Sequence, residues 1–349
     1  MILYYLLTIP VLSILVFVHE VGHFLMAKRA GMKVEEFGFG FPPRIWGTKK
    51  GETTYSINWI PFGGFVKIFG EDGEHPDESR SFSVKPFWAK FSVVVAGVVM
   101  NFLLAALLFM IVFWIGFTIP RPDGTKVVVL ADAVYLSAVA PQSPADRAGL
   151  IMGDRITDFT SVPEMQKFVN EHRGTEIALH YERAGTPGVH AVTITPRVEA
   201  PLGEGALGVG LLENYEKGEA IWEGIKKAGT LWWEMLKGFG LILGNLFTTG
   251  KAGVELAGPI GIAVITGQAA HSGIADLLFF MAFISVNLSL LNILPIPALD
   301  GGRLLFLVIE KIKGSPLPKK VEMAFNTTGF MLLLLLIFYI SVKDVIKFF

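Results

Sequence analysis

The chain reads as a polytopic α-helical membrane protein with four spans and one α+β domain inserted between the second and third. Four runs, 2–27, 91–118, 277–299 and 323–342, are uncharged or nearly so. Each reaches the roughly 20 residues that a bilayer crossing needs. Composition agrees: 52% of residues are hydrophobic, 17% are charged and mean hydropathy is +0.53, outside the usual soluble balance. Between 127 and 197 the pattern changes to short β-prone pieces separated by turn residues, such as 176–181 and 189–194.

The first element, 1–27, lacks a basic start and a small-residue cleavage site, so it reads as a retained span rather than a signal peptide. Pro10 falls inside it, where it is expected to kink the helix. The same span carries His19-Glu20-Val21-Gly22-His23. On a helix, positions i and i+4 share a face, so His19 and His23 can offer imidazole nitrogens to one metal. Glu20, beside the first of them, can then polarise a metal-bound water. So short a pattern also arises by chance in soluble chains. Inside a membrane a charged side chain costs about 2.5–3.5 kcal/mol on insertion scales, which favours a functional site.

The region 28–90 is basic near both flanking spans, with Lys28, Arg29 and Lys33 at one end and Arg80, Lys85 and Lys90 at the other. Its middle is aromatic, Gly-rich and strand-prone, unusual for a linker in water. The second span follows at 91–118. After the inserted domain, 198–276 is amphipathic, and within 220–249 charged residues interrupt the tryptophans, arguing against a fifth span. That stretch suits a helix lying in the membrane interface or one packed on the inserted domain. The third span is expected over 277–300, closed by Asp300 at the water boundary. A basic loop over 301–322 and a fourth span over 323–342 complete the chain. Positive charge in short loops places 28–90 and 301–322 in the cytoplasm, and both termini and the 119–276 segment outside.

Net charge is −1 and no dense basic cluster occurs, so nucleic acid is not an expected partner. The chain has no cysteine, which excludes disulfides, thiolate catalysis and cysteine-held metal. His75, His172, His180, His190 and His271 carry no assigned role, and 71–78 reads as a solvated acidic loop.

Near the far end the chain reads Asn292-Ile293-Leu294-Pro295-Ile296-Pro297-Ala298-Leu299-Asp300-Gly301-Gly302. Taken with the HExxH, this resembles the NxxPxPxLDG motif of site-2 proteases, the intramembrane zinc metalloproteases, in their regulator-of-sigma-E form with a single PDZ domain. The resemblance implies a Zn2+ site in which Asp300 joins His19 and His23 as the third protein ligand and Glu20 is the catalytic base. Two imidazoles, one carboxylate and a water make a tetrahedral catalytic zinc. The segment Val34 to Lys67 is similar to the family's membrane-dipping β-loop. Gly40 and Phe41 in that loop, with Asn292, Pro295 and Pro297, are implied in holding an unwound substrate. Gly97 and Asn101 are similar to the family's GPxxN, and Gly258 to Ile262 to its GPIGI run. Two departures stand out: Val98 replaces a proline, and Pro42 replaces a glycine found in some relatives.

Residues Val139 to Leu150 and Gly153 to Ile156 resemble the SPAxxAGL and GDxI runs of bacterial envelope PDZ domains. The resemblance implies a peptide groove walled by helix 163–172 and by the strand near Val134 to Val139. Whether such a domain excludes bulky substrates or captures peptides stays open. The implied function is hydrolysis of single-span membrane proteins, of the anti-sigma-factor type or remnant signal peptides, after an upstream site-1-type protease has trimmed them. The implied location is the lipid bilayer of the bacterial cytoplasmic (inner) membrane, with the PDZ domain extracytoplasmic. Intramembrane His, Glu and Asp also build ion and proton pathways. A transporter and a catalytically inactive PDZ-presenting adaptor are therefore the alternatives.

Overall fold

The computed structural model describes residues 5–71, 77–116, 118–120, 126–129, 133–201, 205–213, 219–249, 258–315 and 317–348. His75 and most of the acidic 71–78 loop lie outside these. The chain forms two compact units: Met1–Leu108 with Lys226–His271 and Phe279–Phe349, and Phe109–Ile225 with Ser272–Leu278.

Helix α1 spans Thr8–Arg29. Pro10, expected to kink it, sits in its first turn instead, where the backbone N–H has no intrahelical acceptor to lose. The helix ends where Gly31 adopts φ +67°. Gly31 N–H then donates to Lys28 O at 3.0 Å and Met32 N–H to Ala27 O at 2.9 Å. This pair of bonds is a Schellman cap, and it buries Ala27 and Met32.

Strands β1 (Val34–Lys50) and β2 (Thr53–Ile68) pair antiparallel, closed by the turn Gly51-Glu52 between paired Lys50 and Thr53. Their base packs on α1. Phe37 lies 5.3 Å from Phe17 and 4.8 Å from Phe24 between ring centroids. The flat Gly63-Gly64 face makes this possible: a Cβ on Gly63 would stand 2.5 Å from Val16 Cγ1. Ser13 Oγ, from α1, donates to Pro61 O. The far half exposes Phe41, Ile45, Trp46, Ile57, Trp59, Ile60 and Phe62, more large apolar side chains than water would favour.

Helix α2 (Phe87–Ile115) leads through a short pair, β3 (Thr118–Pro120) and β4 (Lys126–Val128), into the inserted domain. There β5 (Val134–Val139), α3 (Pro144–Arg147), β6 (Arg155–Ile156), α4 (Val162–Glu171), β7 (Ile177–Arg183), β8 (Thr186–Ile194) and β9 (Val209–Glu213) follow in order. The sheet runs β8-β7-β6-β5-β9 over a core that includes Leu136, Ile156, Met165 and Leu179. Ser143 and Ser161 cap α3 and α4 by accepting from Asp146 N–H and Glu164 N–H. Two expectations change here. The domain does not stop at 197, because β9 supplies a fifth strand. Strand β5 is also no groove wall with a free edge, since β6 and β9 flank it; the edge strand packed near α4 is β9.

Helix α5 (Ala220–Thr249) is one continuous helix of 30 residues. Gly224, near its start, faces Met110 so closely that a Cβ would stand 2.6 Å from Met110 N. Then come α6 (Pro259–Ser272), α7 (Ile274–Ile293), α8 (Asp300–Lys313) and α9 (Lys319–Phe348). The apolar run expected as one helix over 277–300 is therefore two elements, and most of the loop expected over 301–322 is α8. Pro295 and Pro297 explain the break: each lacks an N–H, and each bars helical geometry from the residue before it. By length and composition α1, α2, α7 and α9 can cross a membrane.

Candidate metal centre

Four residues apart on α1, the His19 and His23 rings meet edge to face with centroids 4.6 Å apart. Their Nε2 atoms are separated by 3.0 Å. Asp300 Oδ2 lies 2.8 Å from His19 Nε2 and 3.2 Å from His23 Nε2. On its far side His23 Nδ1 lies 2.8 Å from Val93 O. A carbonyl only accepts, so Nδ1 carries the hydrogen and Nε2 keeps its lone pair. Glu20 joins the two histidines in a group whose ligand atoms lie within 4.8 Å of one another. Its place next to His19 turns it off the face the two rings share. Asp300 is the nearer carboxylate to both imidazoles.

Asp300 is delivered by a tightly folded corner. Ala298 adopts φ +65°, and its N–H donates to Asn326 Oδ1 of α9 at 3.3 Å. The chain then turns back over the start of α8, where a Cβ on Gly301 would lie 1.8 Å from Leu294 O and one on Gly302 2.7 Å from Ile296 O. Only glycine leaves room for those carbonyls. Gly329 of α9 faces Pro297 in the same way, with a would-be Cβ 1.9 Å from Pro297 Cβ. On the other side α1 and α2 approach backbone to backbone, since a Cβ on Gly22 would stand 2.4 Å from Ala96 O. Small residues let membrane helices pack at this range.

These donors suit zinc. Tetrahedral zinc with bonds of about 2.0–2.2 Å would hold neighbouring ligand atoms about 3.3–3.6 Å apart, and the three pairs here lie slightly closer, at 2.8, 3.0 and 3.2 Å. Gly97 of α2 leaves open the space beside them: a Cβ there would be 2.6 Å from His23 Nε2 and 2.7 Å from His19 Nε2. A set of two imidazoles and one carboxylate is also a zinc set by chemistry.

Of the residues singled out in the sequence, His19, Glu20, His23 and Asp300 come together. Gly97 and Asn101 of α2 border the two rings, and the remaining ones lie outside this cluster. Asn292 lies in the last turn of α7, and Pro295 and Pro297 shape the corner before Asp300. Gly40 and Phe41 belong to β1, where Asn58 Nδ2 donates to Gly40 O at 3.2 Å and Phe41 stacks on Phe65. The roles of Gly22, Gly97 and Val93 were not legible. Within apolar spans, a glycine that makes room and a backbone acceptor leave no periodic trace.

Comparison with known proteins gives the family. The chain belongs to Peptidase family M50, whose model matches residues 7–336. A Clostridium perfringens relative named as a zinc metalloprotease is 34% identical over 352 residues, covering 99% of each chain. The zinc metalloprotease RasP of Geobacillus kaustophilus is 30% identical over 98% of this chain and 97% of its own. That of Shouchella clausii is 29% identical over 98% of each. The protein is a zinc metalloprotease of the site-2 type with membrane-spanning helices, and Zn2+ is its expected metal.

Proposed function

We propose that this protease hydrolyses peptide bonds of single-span membrane proteins within or near the bilayer, after another protease has trimmed them. The supporting observation is the convergence of His19, His23 and Asp300, with Glu20 alongside, on a helix apolar enough to span. Family membership favours hydrolysis over an ion pathway or an inactive adaptor. His19, His23 and Asp300 are the protein ligands in this reading. Bound there, zinc would acidify a water and polarise the scissile carbonyl. Glu20 takes the proton from the attacking water and returns it to the leaving amine. Three protein donors would leave a bound zinc with room for one water, as a catalytic site needs.

Substrate handling falls to the hairpin and the proline corner. A substrate helix hides its carbonyls, so it must unwind before attack. The hairpin is packed on α1 through Phe37, and Gly64 lies close to Glu20, with a would-be Cβ 3.8 Å from Glu20 Cγ. Its open strand edge can pair with an unwound segment whose main chain water cannot reach. The Gly40–Phe41 stretch, Asn292, Pro295 and Pro297 are the substrate-positioning candidates.

The inserted domain acts as a PDZ-like module, with the groove between edge strand β9 and α4. Val209 and Leu211 there pack on the core that holds Met165 and Val169. Both cytoplasmic loops of the proposed topology meet, since Arg303 of α8 pairs with Glu71 after β2, which supports their lying on one side. The natural substrates are trimmed anti-sigma factors or signal-peptide remnants.

A model single-span substrate tests the assignment. Glu20→Gln should abolish its cleavage while zinc stays bound, and His23→Ala should lose both metal and activity. Cleavage by Glu20→Gln would overturn the mechanism.

A further inference from the structure

Asn101 lies on α2, one turn beyond Gly97, and is 1% exposed. Its Nδ2 is 3.4 Å from His19 Nδ1, and its Oδ1 is buried with no hydrogen-bond partner. Ser285 Oγ, from α7, donates to the Asn101 backbone carbonyl at 2.8 Å, which ties this turn of α2 in place. A buried amide oxygen without a donor is uncommon in a folded protein and asks for a reason. In the orientation described, the amide N–H points at His19 Nδ1. That nitrogen must then accept, and the ring hydrogen goes to Nε2, the atom facing Asp300 and His23. A metal ion needs that same Nε2 bare.

A half-turn of the side-chain amide exchanges its oxygen and nitrogen. The oxygen then meets Nδ1, which donates to it, and the lone pair of Nε2 is free. His23 already has this arrangement, with Val93 O as its acceptor. We infer that Asn101 is a positioning residue for His19: its amide oxygen accepts the Nδ1 hydrogen and so presents Nε2 to zinc. Outer partners of this kind fix the tautomer and orientation of a metal-bound imidazole. The inference rests on reading His19, His23 and Asp300 as the ligands.

Zinc affinity of the purified full chain, measured by chelator competition, tests it. Asn101→Leu removes the acceptor and should weaken zinc binding about 10–100-fold. Asn101→Asp keeps an oxygen acceptor of the same shape and should bind zinc within a few-fold of the native chain. Simple packing predicts otherwise, because it gives a buried aspartate no advantage over leucine. Native affinity in a folded Asn101→Leu would overturn the inference, and so would an equal loss in Asn101→Asp. If Asn101→Leu does not fold, Asn101→Asp decides alone: retained affinity supports the role and lost affinity ends it. His23→Ala in the same assay separates the two readings. If it keeps native affinity, the ligand assignment fails; if it loses zinc while both Asn101 variants bind normally, only the role of Asn101 fails.

Discussion

Gly97 faces His23 across so short a gap that a Cβ atom on it would stand 2.6 Å from the ring's Nε2. The atoms in the way are imidazoles held by Val93 and Asp300, not the free end of a flexible chain. Overpacking of this kind costs about 1–3 kcal/mol. Gly97→Ala should therefore lower zinc affinity about 10–100-fold and reduce cleavage in parallel, with helix content by circular dichroism unchanged. Native zinc content and native cleavage in the variant would contradict the geometry.

Reporter fusions check the orientation. A reporter joined after Lys85 should read as cytoplasmic, and one joined in the β7–β8 turn at Gly185 should read as extracytoplasmic. The reverse pattern would refute the proposed topology.

Deletion of the inserted domain separates exclusion from capture. The cut has to run from 133 to 213, because stopping at 197 would strand β9 without β5. If the domain excludes bulky substrates, the shortened protein bridged by Gly/Ser should keep Glu20-dependent cleavage and also accept untrimmed substrates. If the domain captures peptides, cleavage of trimmed substrate should slow instead, since the local concentration it supplies is lost. We expect the first result.

Acid should loosen the hairpin turn. Glu52 accepts from Nη1 and Nη2 of Arg80 and from Lys28 Nζ, and these partners hold its carboxyl at about 2, below the ordinary 4.5. A depressed carboxyl stabilises the fold fully above its unfolded value, and the contribution disappears as pH falls from there through the folded one. Amide exchange at 50–54, corrected for its intrinsic pH dependence, should be steady from pH 7 to about 5 and rise at lower pH. Glu52→Gln should raise it between pH 5 and 7, by roughly five-fold at most because exposed ion pairs are weak, and the difference from the native chain should shrink as pH falls further. Exchange unaffected by the substitution would rule this tie out.

Helix α1 and its paired histidines can be read from the sequence because the signal is local. His19 and His23 fall one turn apart in an apolar run, and the helical period alone puts them on one face. The Asp300 corner was legible only in part. Leu294, Ile296, Ala298 and Leu299 keep the hydropathy high, so the span read as continuous, although Pro295 and Pro297 forbid it. Strand β9 escaped notice for a different reason. It has five residues, stands apart from the domain's other strands in the sequence, and pairs with β5 between 70 and 79 positions away. Hydropathy in the second span likewise says nothing about which of its side chains face a ring: the resemblance to GPxxN picks out Gly97 and Asn101, but their places beside the histidines come only from the packing of α2 on α1.

His19 and Asp300 are separated by 281 positions, and this spacing has a consequence for timing. During synthesis the helix with both imidazoles and Glu20 is finished while most of the chain is still unmade. On the ligand assignment proposed above, such a nascent protein lacks its third ligand and cannot yet cut its neighbours in the membrane. Even the arrival of Asp300 is not sufficient, because its corner rests on Asn326 and Gly329 of the helix made last. On that assignment the metal site is incomplete until α9 is in position, so the order of synthesis itself delays activity.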